Sequence, residues 1–220
     1  MTAKSAIEEL ELIRTAEPPP PTRRGDSGWG GGEGYGRAQA RDPETYVTGI
    51  WVALASILMF FLALTSSFIV RKGMGQDWQP IELPRVLWAT TTLLLLSSVA
   101  LERARRALAT GARAVYSRWW TLTTMLGVFF LCGQIVAWSQ LWASGVFLAT
   151  NPSSSFFYLL TGTHGLHLLG GLIALSYVGA RSRRADSWTA ERPAVTATSI
   201  YWHFLGVLWV LLFLLLLLGR

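Results

Sequence analysis

Residues 119–180 read WWTLTTMLGVFFLCGQIVAWSQLWASGVFLATNPSSSFFYLLTGTHGLHLLGGLIALSYVGA, running from Trp119 to Ala180 without one Asp, Glu, Lys or Arg. Such a run is too long for a soluble core and long enough for two membrane crossings of about 20 residues each. Asn151-Pro152-Ser153-Ser154 is a turn-forming break that divides it. Working outward, three further apolar stretches complete a set of five predicted spans, at 46–70, 86–101, 119–142, 155–180 and 195–218. The predicted fold class is therefore all-α and integral to the membrane, a bundle of five transmembrane helices over residues 46–220. The second span is the shortest, so Arg85 or Glu102 and Arg103 must lie at the interface and snorkel.

The first 45 residues have a different composition. Pro18 to Pro21 and the Gly-rich run from Gly28 to Gly36 can neither bury apolar area nor hold a regular helix, which predicts a disordered tail that acts as a tether. Ile7, Leu10 and Ile13 recur at helical spacing beside Glu8, Glu9 and Glu11, as a frayed terminus or a short docking helix would. No apolar h-region of a cleaved signal peptide is found there.

Orientation follows from the cations. Fifteen of the 19 Lys and Arg residues fall on one side of the five spans and four on the other, and without the tail the ratio is still nine to four. Short cationic loops are retained in the cytoplasm, so the N-terminus is expected inside and the C-terminus outside. The net charge of +6 is spread over membrane-flanking loops, with no soluble region to present it to nucleic acid. Anionic lipid is the expected partner, and the loop from Glu102 to Arg118, with five arginines, reads as a solvated positive loop or a headgroup site. Good helix formers from Glu102 to Leu108 suggest that the second helix continues past the membrane surface. The single Cys132 excludes an intrachain disulfide and a cysteine-based zinc site, and its expected role is a small buried hydrophobe.

All three histidines lie within predicted spans: His164 and His167 in TGTHGLH and His203 in YWHF. A histidine in hydrocarbon is costly and marks a site or a buried hydrogen bond. On a helix His164 and His167 share a face with Gly171, and Gly162, Gly165, Gly170 and Gly171 remove bulk around them, predicting close approach of another helix backbone. Imidazole suits copper and haem, but two histidines three residues apart approach a haem from the same side, and no intramembrane carboxylate completes a ligand set. The lack of any Asp or Glu within the spans also argues against an independent proton pump.

Beyond this residue-level reading, Phe156 to Gly170 (FFYLLTGTHGLHLLG) and Tyr201 to Trp209 (YWHFLGVLW) closely resemble the last two helices of subunit III of haem-copper cytochrome oxidases. Gly49 to Phe61 is similar to the first core helix of that family, and Leu93 to Leu101 and the region of Gln134 to the next two. The resemblance covers about residues 46 to 218, in the five-helix bacterial form. It implies a non-catalytic subunit of a respiratory terminal oxidase in the bacterial inner membrane, without redox centres of its own. Haem and copper would reside in partner subunits, subunit I and with it subunit II, and the chain would stabilise the catalytic subunit and support proton uptake. It further implies bound phospholipid and no catalytic or metal residue here. His164, His167, His203, Tyr201, Trp202 and Gln134 would be structural or lipid-contacting. Ile57, Ala137, Thr196 and Gly206 stand where the family commonly carries acids, which marks a divergent branch. An accessory protein of nitric oxide reductase of the subunit III type is the alternative within the family. A free-standing haem or copper membrane oxidoreductase is the alternative outside it, and an optical spectrum of the isolated chain separates the two classes.

Overall fold

A computed structural model describes residues 43–74, 78–79, 81–184 and 192–219. The described residues form five helices, α1 Pro43–Met74, α2 Val86–Ala109, α3 Arg113–Ala143, α4 Pro152–Arg184 and α5 Arg192–Gly219. All five are long and apolar enough to cross a membrane. Hydrocarbon offers no hydrogen bonds to the backbone, so helices that satisfy their own N–H and C=O groups are the form such segments take. The tail expected at 1–45 lies almost wholly outside the described residues, as does the candidate docking helix within it; α1 already starts at Pro43.

Local chemistry fixes the helix ends. α2 runs through the Glu102–Arg106 segment to Ala109, well past the apolar stretch. It stops at Gly111, whose φ of 80° is left-handed, and the Ala112 amide reaches back to the Ala107 carbonyl at 3.0 Å. α3 ends in the same way at Gly145, φ 76°, with Val146 N–H on Leu141 O at 3.0 Å. Glycine bears this conformation at least cost, and the backward bond satisfies a carbonyl the helix leaves open. α4 starts on a reciprocal cap: the Asn151 side-chain oxygen accepts the Ser154 amide at 3.3 Å, and the Ser154 hydroxyl oxygen accepts the Asn151 amide at 3.2 Å. Pro152 occupies the first helical position, where its missing N–H costs nothing.

α2 and α3 form the most extensive pair. α5 packs on α1, α2 and α4, and α4 lies also against α3 and α1. The core is built from Trp120 and Phe130 of α3, Phe157 and Leu168 of α4, Trp202 and Trp209 of α5, and Phe61 of α1, all essentially inaccessible. Cys132, expected to be buried, is exposed on the outer face of α3. The inward stripe of that helix runs through Gly127, Phe130, Gln134 and Ala137, and residue 132 falls away from it at 100° per residue.

Candidate functional site

The seam between the helices is held by a repeated device. A serine or threonine hydroxyl donates to a carbonyl three or four residues back on its own helix, which leaves its oxygen free to accept an indole N–H from a neighbour. Thr91 of α2 donates to Leu87 O at 2.7 Å and accepts Trp209 Nε1–H of α5 at 3.0 Å. Ser97 of α2 donates to Leu94 O at 2.7 Å and accepts Trp202 Nε1–H at 3.0 Å. Thr161 of α4 donates to Phe157 O at 2.7 Å and accepts Trp138 Nε1–H of α3 at 3.2 Å. Trp120 of α3 dispenses with the hydroxyl and bonds Leu175 O of α4 directly at 2.9 Å. Each such bond stabilises a membrane bundle by about 0.6 kcal/mol; together they also fix which helix faces which. Sequence reasoning missed these partners, and its available signal was the recurrence of Trp and of Thr or Ser in otherwise apolar spans.

The two histidines of α4 diverge. His164 points inward and is fully buried, its ring 5.0 Å from that of Trp209, 6.1 Å from Phe130 and 6.4 Å from Phe61. Neither of its ring nitrogens has a hydrogen-bond partner among the described residues. His167 sits half-buried at the edge of the seam, between the rings of Phe60 and Phe61. Its Nδ1–H donates to Thr163 O at 2.7 Å, a bond within α4 that leaves Nε2 as the acceptor nitrogen. Its backbone oxygen accepts the Tyr201 hydroxyl of α5 at 3.0 Å. His203 lies on α5 within electrostatic reach of Arg105 and Glu102, six residues and therefore about 9 Å along the axis from the Trp209 that packs on His164. The sequence phrases thus bring their aromatics together, with Trp202 and Tyr201 packed on Gly171, while His164 and His167 both pack on the ring of Phe61. Among the described residues no three His, Cys, Asp or Glu side chains form a group that could hold a metal ion.

The glycines of α4 act differently from the close backbone contact expected of them. A Cβ at Gly171 would meet the side chains of Tyr201 and Trp202 at 3.1 to 3.4 Å, so the notch takes an aromatic ring from α5. Gly170 is exposed and Gly162 and Gly165 half-buried, so only one edge of the glycine-rich face is inside. Gln134 is buried, with Nε2–H at 3.4 Å from Thr90 Oγ1 and an Oε1 that has no partner among the described residues. Of the positions where acids were expected, Ala137 is fully buried, Gly206 faces Ser98 Oγ with room for ordinary contact only, Ile57 packs on the core, and Thr196 lines a cavity at the end of the bundle.

The cations gather at that same end. Glu102 bridges Arg105 and Arg106 at 3.2 Å each, Arg103 lies 5.7 Å over the ring of Trp119, and Arg183 donates to Thr121 Oγ1 at 2.6 Å while Arg113 donates to Arg183 O. The opposite end is latched by Lys72 Nζ on Leu218 O at 2.7 Å and Trp78 Nε1–H on Gly219 O at 3.0 Å, which occupy carbonyls that the last turn of α5 leaves open.

Comparison with known proteins identifies the family. The family model described as cytochrome c oxidase subunit III matches residues 44–218. A probable cytochrome c oxidase subunit 3 of Mycobacterium tuberculosis is 33% identical over 175 residues, covering 78% of this chain and 86% of its own length. The cytochrome c oxidase subunit 3 of Thermostichus vulcanus is 33% identical over 179 residues, covering 79% and 87%. That of Synechocystis is 30% identical over 178 residues, covering 79% and 75%.

Proposed function

This chain belongs to the cytochrome c oxidase subunit III family, and from that membership we propose that it serves as the non-catalytic third subunit of a bacterial haem-copper terminal oxidase, bound to subunit I and assembled with subunit II. The observation that carries the reading is the use made of the two family phrases. Tyr201 and Trp202 lock α5 onto α4 and α2. Residues so placed hold a scaffold; haem and copper chemistry then falls to the partners. The nitric oxide reductase alternative is not favoured, because the relatives carry the oxidase name.

Within that assembly His164, His167, His203, Tyr201, Trp202 and Gln134 are assigned structural or lipid-contacting roles. The multi-pass chain is placed in the inner membrane with the arginine-rich end, formed by the α2–α3 turn and the ends of α4 and α5, in the cytoplasm. The asymmetry of Lys and Arg supports that orientation. The experiment is affinity purification of the tagged chain in mild detergent, with its partners identified by mass spectrometry and haem and copper measured. Subunits I and II should co-purify, and membranes lacking this chain should keep initial oxygen consumption while losing activity faster over many turnovers. Purification of the chain alone with a bound haem would overturn the assignment.

A further inference from the structure

Two side chains inside the bundle carry polar atoms that nothing among the described residues serves. His164 of α4 is fully buried, and neither Nδ1 nor Nε2 has a hydrogen-bond partner there; Gln134 of α3 is 4% exposed, and its Oε1 has none either. Within hydrocarbon such atoms have no bulk water to turn to. The helices bring the two to one level. Leu131 of α3 lies against Gly165 of α4, and Trp138 bonds Thr161, so Gln134, between Leu131 and Trp138, stands opposite the stretch from Thr161 to Gly165 that holds His164. They also share neighbours. Phe130, one turn before Gln134, has its ring 6.1 Å from that of His164. Trp209, with its ring 5.0 Å from His164 and 4.9 Å from Phe130, is bonded to Thr91, next in the chain to the Thr90 that holds the Gln134 amide.

The hydrogen bonds fix which way these groups face. Thr90 gives its only hydroxyl proton to Leu87 O at 3.0 Å, so toward Gln134 it can only accept. That sets the amide Nε2–H on Thr90 Oγ1 and turns Oε1 away from it, an acceptor in need of a donor. A neutral imidazole adds a bare nitrogen, which is a second acceptor, and one N–H, which has the rings of Trp209, Phe130 and Phe61 beside it for a weak contact only. Two acceptors cannot bond each other, whereas one water has two protons to give and satisfies both. We propose that Gln134 Oε1 and one imidazole nitrogen of His164 hold an internal water, a hydration site that ties α3 to α4 and, through Thr90, to α2.

Radiolytic labelling tests this, because X-ray pulses turn a bound water into a hydroxyl radical that oxidises the side chains around it, while radicals made in bulk solvent do not reach a buried ring. The assembly containing the full chain is irradiated in mild detergent, and oxidation per dose is read by mass spectrometry at Trp209. Trp120 is the reference, a tryptophan 1% exposed whose N–H is taken by Leu175 O. Trp209 should be oxidised faster than Trp120 in the wild type, and Gln134→Leu and His164→Leu should each lose that excess and fall to the rate of Trp120. His164→Leu sheds the water together with the group it serves, so labelling rather than stability reads the site. Trp209 labelling no faster than that of Trp120 in the wild type overturns the proposal, and is the result a direct bond from the imidazole N–H to Oε1 would give. Fast labelling that survives both substitutions overturns it as well. If neither variant is recovered, the wild-type comparison decides alone. The labelling is read on this chain itself, so its outcome is independent of which enzyme the chain serves.

Discussion

Adding one methyl group at Gly179 should unlock the α3–α4 seam. The Leu175 carbonyl accepts the Gly179 amide inside α4 by ordinary helical geometry, and it also accepts Trp120 Nε1–H from α3 at 2.9 Å. The indole reaches that oxygen by passing over the Cα of Gly179. An added Cβ would stand 2.4 Å from Nε1 and 2.7 Å from Cδ1 of Trp120. Trp120 has no retreat, because it is 1% exposed and packs on Tyr116 with ring centroids 5.4 Å apart. Overpacking costs about 1–3 kcal/mol, and stranding the buried indole N–H adds about 1–3 kcal/mol. The better helix propensity of Ala returns about 1 kcal/mol. The expected net destabilisation is therefore about 3 kcal/mol, a fall in melting temperature of roughly 6–12 °C for a domain of this size.

Gly49→Ala is the internal control. It is also a helical glycine, and its added Cβ meets nothing within 4 Å, so that variant should melt at or slightly above the wild type. The assay is thermal unfolding of the purified assembly in detergent, followed by retention of this chain. Trp120→Phe removes the N–H, so in its background Gly179→Ala should cost markedly less, a coupling of the sign expected for residues in contact. Equal melting of Gly179→Ala and Gly49→Ala, or strict additivity with Trp120→Phe, would refute the reasoning.

His164→Leu swaps a buried imidazole without a hydrogen-bond partner among the described residues for a hydrocarbon of similar size, so stability should stay level or rise by about 1 kcal/mol, with the haem and copper content of the complex unchanged. Thermal unfolding and metal analysis check both, and stoichiometric loss of a metal would place a redox centre here. Single cysteines at Ala112 and Ser187, in a Cys132→Ser background, should react only with reagents that enter the cytoplasm, and one at Gln76 from outside; the reverse pattern would invert the topology. Deleting residues 1 to 40 should leave the five-helix domain inserted and associated with its partners, as a Pro-rich and Gly-rich tether allows; degradation of the truncated chain in the presence of those partners would give the tail a structural role.

Membrane residence and the five-helix fold were legible in the one-dimensional pattern, because a bilayer demands uncharged stretches of fixed length and those survive without knowledge of any partner. The family resemblance was legible for a related reason: YWHF contains the aromatics that α5 sets against α4, with Tyr201 and Trp202 seated on Gly171, one turn beyond TGTHGLH. Those letters name the seam without giving its geometry. Which of two histidines three residues apart faces Trp209 and which sits at the edge depends on the rotation of α4 against three other helices. The exposure of Cys132 follows from the rotation of α3, set by Gly127, Phe130 and Gln134 facing inward. The indole-to-hydroxyl bonds join residues as far apart as Thr91 and Trp209, and no local pattern specifies such a pair, since several hydroxyls in the spans could accept each indole. The cavity beside Glu102 exists because α2 overruns the membrane by two turns and meets the start of α5. Sequence supplied its arginines as a positive loop; only the antiparallel packing of two helix ends set them around a shared space.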